Sequence, residues 1–123
     1  MKRVLIADDE PHVIRVLKQV LMRAGYHVDS VNNGNEALNY LLENPLDILI
    51  TDIQMPKMSG DQLCRVIDAN MPDREFAIIV MTSRTEREHR AWASKIGNLT
   101  FLEKPISIRQ LLSELEVCSS RVG

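Results

Sequence analysis

Short uninterrupted apolar runs alternate along the chain with longer segments in which apolar residues recur every three or four positions. Runs of the first kind are typical of strands buried on both faces, and segments of the second kind are typical of amphipathic helices. The predicted strands cover residues 4–7, 26–31, 48–51, 77–81 and 99–102. The predicted helices cover residues 11–24, 36–43, 60–69, 85–96 and 107–117.

Strands alternating with helices in this way predict a parallel sheet covered by helices on both faces. Right-handed crossovers leave few arrangements. For 123 residues we predict an α/β flavodoxin-like fold, a doubly wound (βα)5 sandwich with strand order 2-1-3-4-5. Asn33 and Gly34 are expected to form a turn before the second helix, and Leu42 and Ile108 are expected to face the core. In such folds ligands bind beyond the carboxyl ends of the strands.

Polar side chains follow four of the predicted strands at that edge. They are Asp8, Asp9 and Glu10 after the first strand, Asp52 after the third, Thr82 and Ser83 after the fourth, and Lys104 after the fifth. Neighbouring strands lie about 5 Å apart, so these side chains should converge on one crevice. Carboxylates gathered there repel each other by about 4 kcal/mol per close pair, which a hard cation such as Mg²⁺ would relieve. The lysine and the threonine hydroxyl would then bind phosphoryl oxygens.

Each of these residues alone has a simpler explanation. The acidic residues before Pro11 are compatible with capping of a helix. Asp52 is compatible with a solvated strand end, Thr82 with a helix cap, and Lys104 with an ordinary loop. All four explanations would have to hold at the same edge of the sheet, so their convergence favours a shared site.

Four motifs contain these residues, in the order VLIADDEP, LITDIQMPKMSG, IIVMTS and FLEKP. Together they resemble the CheY-like receiver domain of bacterial two-component response regulators, over essentially the whole chain. The resemblance implies a receiver domain over residues 1–118, with residues 119–123 as a C-terminal tail or the start of a linker. It implies a phosphorylation-dependent signalling switch, which is not an independent enzyme and catalyses only its own phosphorylation and dephosphorylation.

The resemblance also implies roles for the acidic residues. Asp52 is implied as the phosphoacceptor, a nucleophile that forms an acyl phosphate. Asp9, Asp52 and the backbone carbonyl of Gln54 are implied as direct ligands of Mg²⁺, and Asp8 as a ligand that acts through water.

The other implied roles concern the phosphoryl group and the switch. Lys104 is implied to pair with the phosphoryl group, and Thr82 to donate its hydroxyl to it. The Lys104–Pro105 peptide bond is expected to be cis. The family's switch couples Thr82 to an aromatic residue on the fifth strand, here Phe101. Because Phe101 lacks a hydroxyl group, we expect this switch to act through packing.

The implied partners are a sensor histidine kinase or phosphotransfer protein as phosphoryl donor, and a downstream protein or fused output domain as target. A homodimer through the fourth helix, fifth strand and fifth helix is compatible with the sequence. The formal net charge of −2 gives no electrostatic reason for direct nucleic-acid binding. The apolar runs are too short to cross a membrane. The two cysteines form no CxxC, and we expect a cytoplasmic location.

Two other functions fit a similar sheet. A Mg²⁺-dependent aspartyl-phosphate phosphohydrolase is the main alternative, but enzymes resembling the haloacid dehalogenase family carry a second acid two residues after the nucleophile, where this chain has Gln54. A flavodoxin-like cofactor binder is the other, and the acidic cluster would repel a flavin phosphate.

Three further expectations concern the fourth predicted helix and its start. Gln54 and Arg84 are expected to influence the lifetime of the phosphoryl group. Ser83 and Glu86 have the spacing of a capping box. Trp92 is compatible either with half-buried packing or with a surface for a partner.

Overall fold

The strands form one parallel sheet. A computed structural model describes residues 1–83 and 90–122 of the chain. The strands are β1 (Arg3–Ala7), β2 (His27–Val31), β3 (Ile48–Asp52), β4 (Ala77–Thr82) and β5 (Leu99–Glu103). Their order is β2-β1-β3-β4-β5, and every adjacent pair is parallel. The predicted flavodoxin-like α/β fold and its strand order are therefore confirmed.

Helices connect the strands on both faces of this sheet. They are α1 (Pro11–Arg23), α2 (Gly34–Glu43), α3 (Gly60–Asn70) and the C-terminal helix α4 (Ile108–Val122), with a 3₁₀ helix over Arg90–Ala93 before β5. Helix α4 runs five residues beyond its predicted end at residue 117. No helix within the described residues is both long and apolar enough to span a bilayer.

The predicted fourth helix differs from the structure over its described part. Residues 84–89, and with them the expectations for Arg84 and Glu86, lie outside the described residues. The segment that follows contains only the 3₁₀ helix. Hydrogen bonds of the i→i+3 kind join Ser94 N–H to Ala91 O at 3.1 Å and Ile96 N–H to Ala93 O at 3.0 Å. Tight turns therefore replace the α-helical geometry predicted up to residue 96.

The strands bury side chains on both faces, which explains their continuous apolar runs. Along β1, Val4 and Ile6 join the core beneath α1 and α4, whereas Leu5 and Ala7 join the core beneath α2 and α3. All four side chains are fully buried. Since a shift of one residue would exchange the two faces, the strand register is strongly specified, and so is the placement of the residues at the carboxyl ends.

Three local predictions were wrong. Asn33 and Gly34 are not a separate turn, because Asn33 is the N-cap of α2 and Gly34 is its first residue. Leu42 is 67% exposed, since it lies about 140° around the helix axis from the buried Ala37. Ile108 is 37% exposed, because it is the first residue of α4 and lines a surface groove beside α1.

Candidate functional site

The sheet brings the predicted site residues to one edge. Strands β3 and β4 each run one residue farther than predicted, so Asp52 and Thr82 belong to the ladder. The backbone N–H of Asp8 donates to Val31 O at 3.1 Å, and that of Lys104 donates to Thr82 O at 2.7 Å. These bonds continue the strand pairing into the following loops and fix where the polar side chains start.

Three carboxylates cluster at this edge. One carboxylate oxygen each from Asp8, Asp9 and Asp52 lies within 4.8 Å of the others. Asp8 is 0% and Asp52 4% exposed, whereas Asp9 is exposed. Asp8 Oδ1 accepts the N–H of Glu10 at 2.9 Å. Asp8 Oδ2 is buried and has no hydrogen-bond partner among the described residues.

The surroundings of Asp8 oppose its ionisation. Burial raises the pKa of Asp8; the N–H of Glu10 lowers it, and the charge of Asp52 raises it, so the net shift is upward. A buried carboxylate oxygen without a partner is costly. A hydrated divalent cation would satisfy that oxygen and neutralise the cluster. The hard oxygen donors present here fit Mg²⁺.

The ammonium group of Lys104 is a positive charge that contacts the acidic cluster directly. Its Nζ donates to Asp52 Oδ1 at 2.9 Å, and the same oxygen accepts the N–H of Ile53 at 2.9 Å. Burial lowers the pKa of Lys104, but the hydrogen bond to Asp52 and the charges of Asp52, Asp8 and Glu10 outweigh it and raise the pKa overall. The lysine is therefore charged at neutral pH. The Lys104–Pro105 peptide bond is cis.

Thr82 has no such partner. Its side chain is buried, with 1% of its surface exposed, and its hydroxyl has no hydrogen-bond partner among the described residues. Among the described residues, no hydrogen bond of the Thr82 hydroxyl thus competes with the predicted bond to a phosphoryl group.

Phe101 and Trp92 form an aromatic pair. Their ring centroids lie 5.8 Å apart at an interplanar angle of 74°, an edge-to-face arrangement. Both rings are partly buried and pack against the core beneath α2 and α3. Of the two explanations for Trp92, this contact favours half-buried packing.

The loop after β3 is closed tightly on itself. Gly60 N–H donates to Ile53 O at 2.7 Å, and a Cβ at Gly60 would collide with the backbone carbonyl of Asp52, so only glycine fits here. Lys57 adopts a φ of 66° inside a three-residue turn in which Met58 N–H donates to Pro56 O at 2.8 Å.

The contacts of this loop with α2 were not predicted. Gly34 N–H donates to Met58 O at 3.1 Å, and Asn33 Oδ1 accepts the N–H of Glu36 at 2.9 Å. The N-cap was recognisable from the sequence, because Asn followed three residues later by Glu is a capping pattern. The contact with Met58 left no local signal, because it joins residues far apart in the chain.

The edge as a whole forms an open cleft of about 250 Å³. Its lining residues are Asp9, Glu10, Asp52, Gln54, Ser83 and Lys104. The structure thus brings together the predicted acidic residues, Gln54 and Lys104. Phe101 is not among the residues that line this cleft.

Known proteins are similar to this chain in sequence and fold. A family model described as the response regulator receiver domain matches residues 4–116. The chain is 35% identical over 116 residues to the response regulator receiver protein CpdR of Brucella abortus (strain 2308), covering 94% of this chain and 95% of that protein. It spans about half the length of several other relatives that it matches.

Solved structures agree with the sequence matches. A response regulator receiver domain protein from Clostridium thermocellum superposes with a TM-score of 0.88 at 28% identity, covering 98% of this chain and 96% of the other. The response regulator TrrA from Thermotoga maritima, solved in complex with Mg²⁺ and beryllofluoride, has a TM-score of 0.84 at 28% identity, covering 96% and 99%. The chain therefore belongs to the receiver domain family of two-component response regulators.

Proposed function

We propose that this receiver domain accepts a phosphoryl group on Asp52 in a Mg²⁺-dependent reaction and thereby switches its interaction with an output partner. The observation that carries the proposal is the acidic cluster of Asp8, Asp9 and Asp52, in which Lys104 contacts Asp52 at 2.9 Å. TrrA, which this chain resembles in sequence and fold, binds Mg²⁺ and beryllofluoride. That relative supports the same ligand chemistry here.

Asp52 is the nucleophile in this proposal. One of its carboxylate oxygens forms a bond to phosphorus while the bond from phosphorus to the donor's imidazole nitrogen breaks, and the electron pair of that bond stays with the nitrogen. The Asp52 backbone is fixed as the last residue of β3. This placement orients the side chain toward the cleft before any donor arrives.

Charge neutralisation supports the transfer. Asp9, Asp52 and the carbonyl of Gln54 would hold Mg²⁺, with Asp8 acting through water, and the bound ion supplies Lewis-acid stabilisation of the phosphoryl oxygens. Lys104 remains charged and lies next to the nucleophile, so it stabilises negative charge on the incoming group. Removal of one such stabilising donor typically slows a reaction by about 10²–10³-fold.

In this proposal, signalling depends on the Thr82 hydroxyl, which has no hydrogen-bond partner among the described residues. After transfer, the Thr82 hydroxyl donates to the phosphoryl group. This hydrogen bond favours a second conformation of the domain, in which Phe101 repacks. Receiver domains interact with histidine kinases and output domains. We propose a sensor histidine kinase or phosphotransfer protein as donor, a downstream protein or fused output domain as target, and the cytoplasm as location. The domain turns over no separate substrate, which distinguishes it from a phosphohydrolase.

The test is the intact mass of the protein after incubation with acetyl phosphate, with and without Mg²⁺. Wild type should gain one labile phosphoryl group only when Mg²⁺ is present, and Asp52→Asn should gain none. Asp61→Asn is the matched control, because Asp61 is an acid near the same loop that lies outside the carboxylate cluster. A persistent adduct on Asp52→Asn would contradict the proposal, and turnover of a generic phosphate ester would favour the phosphohydrolase.

A further inference from the structure

The junction between β2 and α2, residues 31–34, contacts both loops that carry the proposed metal ligands. On one side, Val31 O accepts the N–H of Asp8 at 3.1 Å. On the other side, Met58 O accepts the N–H of Gly34 at 3.1 Å. Two loops that are distant in sequence are thus fixed to one short segment, which itself supplies no ligand to the acidic cluster.

The second of these contacts leaves no room for a side chain at position 34. A Cβ atom at Gly34 would collide with the carbonyl oxygen of Met58, and it would lie 2.7 Å from Met58 Cβ and 2.9 Å from Met58 Cγ. The first of these atoms belongs to the backbone, so a rotamer change of Met58 cannot relieve the overlap. Any larger residue at position 34 must therefore push the loop and α2 apart.

Met58 lies in the same closed loop as Gln54. The loop begins after Asp52 and is closed at its base by the bond from Gly60 N–H to Ile53 O. Between these points, Lys57 has a left-handed backbone and Met58 N–H bonds to Pro56 O. A short loop with fixed ends and an internal turn has few ways to absorb a displacement locally, so a shift at Met58 extends to Gln54.

Asn33 makes its side-chain hydrogen bonds within its own segment. It is 3% exposed, its Oδ1 accepts the N–H of Glu36 at 2.9 Å, and its Nδ2 donates to Asn32 Oδ1 at 2.9 Å. Both bonds join residues within 32–36, so Asn33 caps α2 and neither bond reaches Met58.

We propose that Gly34 is a positioning residue for the metal site: its close contact with Met58 sets the loop conformation that presents the Gln54 carbonyl to Mg²⁺. The inference rests on the proposed function, because it concerns the same metal. Gly34 acts only through Met58 and touches neither the metal nor the phosphoryl group.

The test is calorimetric titration of Mg²⁺ into the unphosphorylated protein. Gly34→Ala should bind Mg²⁺ about tenfold more weakly, the lower range for loss of a group that orients a ligand. Its rate of acetyl phosphate labelling should recover at saturating Mg²⁺, because the nucleophile is unchanged. Gly97→Ala is the matched control: it is the same substitution at a glycine with no other atom within 4 Å of the added Cβ.

A second control separates positioning from stability. Asn33→Ala removes the cap of α2 and should lower the melting temperature without adding an atom against Met58. Its Mg²⁺ affinity should stay within about twofold of wild type. Unchanged Mg²⁺ affinity in Gly34→Ala, or an equal loss of affinity in Asn33→Ala, would overturn the inference.

A measurement on the wild-type protein covers the case in which Gly34→Ala does not fold. Mg²⁺ should slow hydrogen exchange at the Gly34 amide, because a metal that fixes the loop also fixes the bond to Met58. The Asn44 amide, which donates to Tyr40 O at the other end of α2, should be unaffected. Unchanged exchange at Gly34 would overturn the inference, whereas a wild type that binds no Mg²⁺ would overturn the proposed function itself.

Discussion

Each half of the site holds a buried polar atom without a hydrogen-bond partner among the described residues, but the two halves differ in the ligand that would satisfy that atom. In the acidic half, formed by Asp8, Asp9, Asp52 and Lys104, the lysine already contacts Asp52 at 2.9 Å, and the unpartnered atom is the acceptor Asp8 Oδ2. In the switch half, formed by Thr82 and Phe101, a buried hydroxyl has no hydrogen-bond partner among the described residues. The acidic half thus offers an acceptor that a cation would satisfy, and the switch half offers a donor that an anion would satisfy.

This difference assigns separate events to the two halves. The acidic cluster is relieved by a cation, which can bind before any phosphoryl donor. The buried hydroxyl carries a cost of about 1–3 kcal/mol when unsatisfied, and a phosphoryl group on Asp52 would remove that cost. A difference of this size between two states shifts the ratio of their populations by about 5- to 150-fold.

The largest expected effect is that of Asp8→Asn in the acidic half. Without metal, the free energy of unfolding of the variant should be about 1 kcal/mol higher than that of wild type at pH 7, because the substitution removes a buried carboxylate that lies beside the carboxylate of Asp52. Its Mg²⁺ affinity should fall at least about tenfold. Urea unfolding in EDTA and a Mg²⁺ titration measure both effects, with Asp73→Asn as the exposed control. A less stable variant would show that Asp8 stabilises the metal-free protein.

The pH dependence of stability sharpens this result. The pKa of Asp8 in the folded protein is raised above its ordinary value of 3.8. At a pH between the ordinary pKa and the raised pKa, the folded protein therefore binds more protons than the unfolded chain. Stability from this residue is therefore present at low pH and is lost as the pH rises above the ordinary value. In EDTA, the stability advantage of Asp8→Asn should grow as the pH rises from about 4 toward neutral. An advantage that shrinks over that range would reverse the sign assigned to Asp8.

In the switch half, Thr82→Val should have a smaller effect on stability and a clear effect on signalling. Loss of a hydroxyl without a partner should leave the metal-free unfolding free energy unchanged or raise it by up to about 1 kcal/mol. The conformational change that Mg²⁺ with beryllofluoride produces in wild type should be lost in Thr82→Val, and Thr82→Ser should retain it. Destabilisation by more than about 2 kcal/mol would indicate that the hydroxyl is bonded in the resting protein.

The smallest effect is expected at the aromatic pair. Trp92 is the only tryptophan in the chain and its ring contacts Phe101, so its fluorescence should report movement of that side chain. Mg²⁺ with beryllofluoride should change the emission of wild type and of Phe101→Tyr, but not of Phe101→Ala, in which output should also be uncoupled from phosphorylation. Equal emission changes in Phe101→Ala and wild type would contradict the switch assignment.

The sequence predicted the fold well because a continuous apolar run marks each of the three central strands. Strands buried on both faces leave little freedom in type, order or register. Asp8, Asp52 and Lys104 were predictable for the same reason, because their positions follow directly from strand ends. The 3₁₀ helix at Arg90–Ala93 was not, because the charged residues before it give a weak periodic pattern.

Contacts between residues that are far apart in the chain could not be predicted either. The fit of Gly34 against Met58 arises only once α2 and the loop after β3 are packed together, and no property of either residue indicates it. Exposure of Ile108 likewise depends on where α4 begins relative to the sheet. These features are tertiary, so local patterns do not contain them.

The most direct test of the difference between the two halves is a crystal structure with Mg²⁺ and beryllofluoride bound. This difference predicts that Asp8, Asp52 and Lys104 keep their positions, while the Thr82 hydroxyl gains a hydrogen bond to fluoride and Phe101 becomes more buried. A bound complex in which Thr82 and Phe101 are unchanged while the acidic residues rearrange would contradict it.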